Sequence, residues 1–541
     1  MISFNAENLN YIWHGMHNQY GIPNRFSFLF IFIVLVMAYD VLRNIKNIPQ
    51  TGVLVSGFLS FLFLFLCQKN VYMSRVVVVS SALVLVLYVI LCMFGTIEKL
   101  PKRPYYIVFA VVMCVETLAA AINGYDYIGY ANYGGNYETA EAITDANTYL
   151  EQNRKKEDGF YRVELVDSKV LDEASWHNMP SISIFGSTVR GELVTTMGRL
   201  GFYTGANEFL YMGSTPFTNS MLNVKYVLRR PGDFYNFDFE YVGAVGDVEI
   251  YENPYPLSIG FCVDERIKQW DRDTYLPLDV QNSLAYYMTG GVSFFQPMVP
   301  DFTTYGEGCT TSVFGNSISY TPQQDGEIKV ITNFDVYKDG DYYVNCRGNE
   351  VNKIAFYVNG ELLTNDRYQI QIFHLGDLKV GDSVTIEYQY KGMVANGNTK
   401  NASIYIATYD EEAYKSVYED LKKNMLTVTE YSDGYVKGTV NVPEKQMLFT
   451  SIPYEAGWTV YVDGKKTDIT TIGEAFIGVE MEPGEHEVVL RYVPKGFWIG
   501  FIATIVSWML LLGSISIINK QNDRKELVKS NENRIDRVEN I

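Results

Sequence analysis

Residues 76–96 read VVVVSSALVLVLYVILCMFGT, twenty-one positions without a charge. A helix needs about 20 apolar residues to cross the hydrocarbon core of a bilayer, so this run predicts a membrane span. Similar runs occur at Phe26–Leu42, Thr51–Cys67, Pro104–Ile122 and Phe497–Ile518, giving about five transmembrane helices. The charges at their ends orient them. Arg43, Lys46, Lys99, Lys102, Arg103, Lys520, Arg524, Lys525, Lys529, Arg534 and Arg537 fall on one side, and only Arg25, Lys69 and Arg75 on the other. Eleven cations against three put the C-terminal tail in the cytoplasm of a bacterial-type cell. The stretch from about Asn123 to Pro494 is then extracytoplasmic, and so is the N-terminus. An outside N-terminus with no signal sequence suggests the C-terminal portion of a longer protein; the plainer alternative is an N-out chain.

Outward from the helices the composition changes. The 541 residues carry a net charge of -18, and nearly all the polar, Tyr-rich sequence lies between residues 123 and 494. That acidity argues against a nucleic-acid partner, which needs a basic face. Of six cysteines, Cys67, Cys92 and Cys114 lie in apolar helices and Cys262, Cys309 and Cys346 in the polar region. Their spacing fits neither a disulfide framework nor a zinc site.

The polar region divides into an α/β segment, 123–300, and a β-rich segment, 301–494. In the first, Tyr137–Gln152 has helical periodicity through Ala140, Ile143, Ala146 and Leu150, while Tyr161–Val166, Leu222–Arg230 and Val248–Pro254 read as strands. In the second, alternating strands and tight turns predict two β-sandwich-like modules, 301–410 and 426–494, joined by a helical linker at 411–425. An internal repeat supports two modules: AFYVNGELL with Asn359-Gly360 and WTVYVDGKKT with Asp463-Gly464 are offset by 104 residues. Asn-Gly and Asp-Gly supply the positive φ angles of two-residue hairpins. The remaining divisions are an outer loop at 1–25, a four-helix membrane region at 26–122, a final span at 496–518 and a tail at 519–541.

Few residues point to chemistry. Arg25 sits on the side of the membrane that cations avoid and can hold a phosphate bidentately, with His14 as a further donor or base. The plainer reading has Arg25 reaching lipid headgroups while Trp13 and Tyr20 anchor the interface. Glu116 lies inside the fourth apolar helix, where a carboxylate is costly and therefore a functional candidate, able to position a hydroxyl or to pair with Arg25. Asp271-Arg272-Asp273 has the two-acid spacing of some metal-binding transferases but reads better as a solvated charge run. The sequon Asn401-Ala402-Ser403 carries no weight in a bacterial-type protein. No phosphate-cradling glycine loop, nucleophile elbow or metal-ligand cluster is visible, and no cofactor motif either. The 42 tyrosines include rings that can stack on sugars, though most belong to cores.

The segment WHG…GIPNRFSFLFIF, from Trp13 onward, resembles the signature of the bacterial YfhO membrane proteins. ETLAAAINGY (116–125), GFYRVE (159–164), FGSTVRGELV (185–194), SMLNVKYVL (220–228) and the C-terminal GWTVYVDGKK…AFIGVEMEPGEHEVVLRYVPKGF fit the same family. Members are typically longer, with additional N-terminal helices. The resemblance implies a GT-C-type glycosyltransferase that takes sugar from a polyprenyl-phosphate donor and modifies envelope polymers, such as teichoic acids, on the outer face. The family's catalytic acid sits in the first outer loop, which nothing here matches. By the same resemblance, His14 and Arg25 would face the lipid-linked phosphate, Glu116 and Asn123 would line the same cavity, and the sandwiches would hold the acceptor polymer. The alternatives are a non-catalytic envelope protein whose sandwiches bind polysaccharide or a protein partner, and, further off, a flippase component.

Overall fold

A computed structural model describes residues 7–14, 16, 26–67, 75–97, 99–128, 134–153, 155, 159–234, 239–274, 276–348, 350–366 and 371–539. The chain forms two compact units, Met1–Tyr133 and Gly134–Ile541.

In the first unit, helices Ser27–Arg43, Gln50–Cys67, Arg75–Gly95 and Lys102–Ile128 follow a short helix, Glu7–Trp13. Their apolar side chains are mostly exposed, as suits helices whose solvent is lipid. A small core forms where Ile45, Leu91, Tyr105 and Phe109 meet. Gly57 lets two helices approach closely, because a Cβ there would lie 2.7 Å from Val89. Among the described residues, Val76–Gly95, Lys102–Ile122 and, in the second unit, Phe497–Arg524 are long and apolar enough to cross a membrane; Gln50–Leu66 is apolar but shorter. The chain is thus a membrane protein with a large β-rich domain.

The second unit is built in three parts. A four-stranded sheet orders Arg162–Leu165, Val224–Arg229, Val248–Glu252 and Glu240–Val245, with the first pair parallel. Helix Gly134–Gln152 covers one face, burying Ile143, Ala146 and Leu150 against Val163, Leu165, Leu228 and Ile250. Next, two sheets face each other between residues 295 and 409. One is five-stranded and centred on Gly326–Asp335 and Ser383–Met393, and the other is six-stranded and centred on Lys400–Tyr409. Val344, Cys346, Ile354, Ile386 and Tyr388 fill the space between them.

The third part is a second sandwich. Its five-stranded sheet runs Thr427–Ser432, Tyr435–Val442, Gly484–Tyr492, Trp458–Val462, Lys465–Thr467. The opposing sheet runs Thr470–Ile472, Phe476–Met481, Gln446–Pro453 and Gly260–Val263. The last of these strands therefore comes from the α/β segment, and Cys262 enters the sandwich core beside Leu448 and Val479. Helix Glu411–Lys422 is capped by the Asp410 carboxylate, which accepts from the Ala413 N–H at 3.0 Å. Its Tyr414, Val417, Tyr418 and Leu421 join a common core with Leu278, Phe294, Phe261 and Phe449. Strand Gly484–Tyr492 leads through Pro494-Lys495-Gly496 into the final helix, Phe497–Glu539.

Candidate functional site

In the membrane unit, the Glu116 carboxylate on helix Lys102–Ile128 accepts a hydrogen bond from the Tyr88 hydroxyl on helix Arg75–Gly95. The Tyr88 ring rests against Phe109, centroids 5.5 Å apart. A carboxylate in an apolar helix is thus matched with a hydroxyl donor from the neighbouring helix. Asn123 is seven residues on, two turns along the same helix, so its backbone position shares the Glu116 face. Its side chain lies outside the described residues, and so does Arg25. Trp13 stacks on Phe26 at 5.3 Å, and His14 meets the same ring edge-on at 6.1 Å. The structure therefore brings Trp13 and His14 together on Phe26, while Glu116 is bonded to Tyr88. Sequence reasoning passed over Tyr88; a lone phenol in an otherwise apolar span was the available signal.

In Asp271-Arg272-Asp273 the two acids are exposed, but the cation between them is not. Arg272 is 7% exposed. Its guanidinium donates to the Glu192 carbonyl at 2.7 Å, the Gly473 carbonyl at 3.0 Å and the Thr196 hydroxyl, and pairs with Glu474. Asp271 closes its own turn, accepting from the Asp273 N–H and the Thr274 hydroxyl at 2.9 and 2.7 Å. The segment is a structural tie between the α/β part and the second sandwich. Among the described residues, no group of three His, Cys, Asp or Glu side chains could hold a metal.

A second polar constellation lies on strand Arg162–Leu165. Val163 and Leu165 point into the helix-covered core. Arg162 and Glu164, which alternate with them, take the opposite face. Arg162 is 8% exposed and Glu164 1% exposed. Arg162 donates to the Leu222 carbonyl and to the Ser451 hydroxyl and carbonyl, at 2.9 and 3.1 Å for the latter two. Glu164 accepts from the Ser181 and Ser183 hydroxyls and the Ile182 N–H. Burial outweighs these bonds and raises the Glu164 carboxyl to about 7, and burial lowers Arg162 to about 10.

Arg162 stands between two cavities. One, of about 250 Å³, is lined by Ser175, Ser181, Ser183 and Ser451 among apolar side chains such as Met197 and Phe209. The other is a cleft of about 650 Å³ whose lining includes Phe160, Tyr431, Tyr435, Trp458, Glu151 and Asp433.

The family profile described as "Bacterial membrane protein YfhO" matches residues 1–504. A curated relative, "Uncharacterized protein YfhO" of Bacillus subtilis (strain 168), is 20% identical over 533 residues, 92% of this chain and 60% of the relative. The chain therefore spans about 60% of the length of the curated relative it matches. Among solved structures, a family 29 carbohydrate binding module is 13% identical and covers 21% of this chain and 88% of its own, with a TM-score of 0.15. A family 35 carbohydrate binding module from Clostridium thermocellum is 14% identical over 21% of this chain and 97% of its own, with a TM-score of 0.14.

Proposed function

The chain belongs to the bacterial membrane protein YfhO family, and from that premise we propose that it takes part in moving sugar from a polyprenyl-phosphate donor onto an envelope polymer, such as teichoic acid, at the outer face of the cytoplasmic membrane. In this reading about five spans hold the donor, and the β-rich unit stands outside with the polymer. The charge asymmetry of the helix ends supports that sidedness. The carrying observation is the Glu116–Tyr88 pair. Keeping a carboxylate in an apolar helix is expensive, and such groups belong to substrate paths. Here a hydroxyl donor from the adjacent helix orients it. Glu116 and Tyr88 would engage sugar hydroxyls, with Asn123 on the same helix face. Arg25 and His14 would meet the lipid-linked phosphate, whose departing charge a guanidinium stabilises. Trp13 would hold the boundary.

The test is made in cells whose own copy of the gene is replaced. Glu116→Ala and Arg25→Ala are each expected to abolish sugar on the envelope polymer while the protein remains in the membrane at normal level. Tyr88→Phe, which removes only the orienting donor, should lower it partially. Wild-type polymer sugar in the Glu116→Ala strain would remove the pair from the mechanism.

The non-catalytic alternative, an envelope protein that only holds polysaccharide, is favoured by a different observation, the aromatic cleft of the β-rich unit.

A further inference from the structure

We propose that the cleft lined by Phe160, Tyr431, Tyr435 and Trp458 is a binding site for a neutral saccharide chain. Its four rings come from three places in the chain. Phe160 precedes strand Arg162–Leu165. Tyr431 and Tyr435 flank the hairpin turn Ser432-Asp433-Gly434, and Trp458 opens a strand on the same sheet. Phe160 and Tyr431 meet edge to face at 5.4 Å, and Trp458 lies against Tyr492 at 5.3 Å. Tyr431 is 42% exposed. Gly457 holds Trp458 in place: the Gly457 carbonyl accepts from the Val493 N–H at 3.0 Å. A Cβ at 457 would press on the Val493 carbonyl and lie 2.7 Å from the Tyr492 ring. Tyr431, Tyr435 and Trp458 are thus set on strands of one sheet, with Tyr431 exposed and the other rings of the cleft partly buried, and such rings can take the apolar face of a pyranose.

The polar groups decide which saccharide. Glu151 and Asp433 are exposed carboxylates in the lining, where sugar hydroxyls can donate to them. Arg162 is the one cation among the described lining residues, and three of its donor bonds already go to Leu222 and Ser451. It lies 5.6 Å from the Phe160 ring centroid and serves as a wall. Two carboxylates at the surface, in a chain of net charge -18, repel a phosphate- or carboxylate-bearing unit. The volume of about 650 Å³ falls in the range of ligand clefts and admits a short stretch of a longer polymer. A phosphate-bearing acceptor such as teichoic acid is not the occupant of this cleft, so the binding does not rest on the sugar-transfer reading.

The test uses the full chain in lipid nanodiscs. The probes are neutral gluco-, manno- and galacto-hexaoses, a hexagalacturonate of the same length and a lysine-containing hexapeptide. Binding is followed by calorimetry. At least one neutral hexaose should bind, with the hexagalacturonate weaker by about ten-fold or more. Trp458→Ala should weaken the neutral sugar by about ten-fold or more. Tyr431→Ala, at an exposed position, should weaken it in the same direction. Asp433→Asn should narrow the gap between neutral and anionic probes. No binding by any neutral hexaose overturns the proposal. So does equal binding of hexagalacturonate, preference for the peptide, or wild-type affinity in Tyr431→Ala. Glu116→Ala should bind the hexaose normally, so failure of the transfer reading and failure of the cleft are read separately.

Discussion

The two sandwiches of the β-rich unit share a hairpin down to its hydrogen bonds and differ in how they are closed. In the first, Asn359 and Gly360 take φ of 51° and 80°; in the second, Asp463 and Gly464 take 50° and 74°. The Asn359 side chain accepts from the Ser383 N–H at 2.9 Å, and the Asp463 side chain accepts from the Glu487 N–H at 2.9 Å. Residues 383 and 487 carry the same 104-residue offset as the turns, so the repeat extends beyond the turn itself. Closure is another matter. The first sandwich draws all its strands from residues 295–409. The second recruits Gly260–Val263, paired from Met447↔Val263 to Thr450↔Gly260. Arg190, Arg162 and Arg272 reach across the same seam to Tyr454, Ser451 and Gly473. Local turn chemistry repeats, while the pairing that completes a sheet is long-range and unique to one copy.

The largest effect should come from breaking that seam. Phe449 is fully buried with its ring 5.3 Å from Phe261. Phe449→Ala should remove about 3–5 kcal/mol. Hydrogen exchange should then rise together in the second sandwich and the α/β strands, while Val344 and Ile386 in the first sandwich keep their protection. The matching Ile386→Ala should lose about 2–5 kcal/mol with exchange confined to residues 295–409. Exchange confined to residues 427–492 in Phe449→Ala would show that the borrowed strand does not couple the parts.

A smaller, pH-dependent effect sharpens the contrast. Burial raises the Glu164 carboxyl from 4.5 to about 7. Between those values the folded chain keeps a proton that the unfolded chain has released, so stability falls as pH rises through the window, by a few kcal/mol in full. Glu164→Gln should flatten this slope for the seam-linked parts and leave the first sandwich unchanged. An identical melting-versus-pH profile in the variant would rule the carboxyl out as the source. Smallest of all, Gly360→Ala and Gly464→Ala should each destabilise their own hairpin by about 1 kcal/mol, because both positions require positive φ. Unequal melting shifts would break the equivalence of the two turns.

How much of this was legible follows from the range of the interactions. The apolar runs and the two hairpins are local, and residues such as Asn359-Gly360 declare their backbone angles directly. Strand Gly260–Val263 does not: GFCV is buried at every position, so it has no alternation to separate it from any short apolar run. Glu116 stood out by its charge, but its partner Tyr88 is 28 positions away on another helix. Arg272 looked solvated because its partners, Glu192 and Gly473, are contributed by remote segments. The cleft is the extreme case, since its rings at 160, 431 and 458 converge only through the seam.

The central claim, that this chain takes part in sugar transfer, is tested most directly in isolated membranes. Membranes from cells with and without the gene are given a radiolabelled polyprenyl-phosphate sugar and the envelope polymer. Label entering the polymer only where the gene is present is the predicted result. Equal incorporation in both membranes would contradict it.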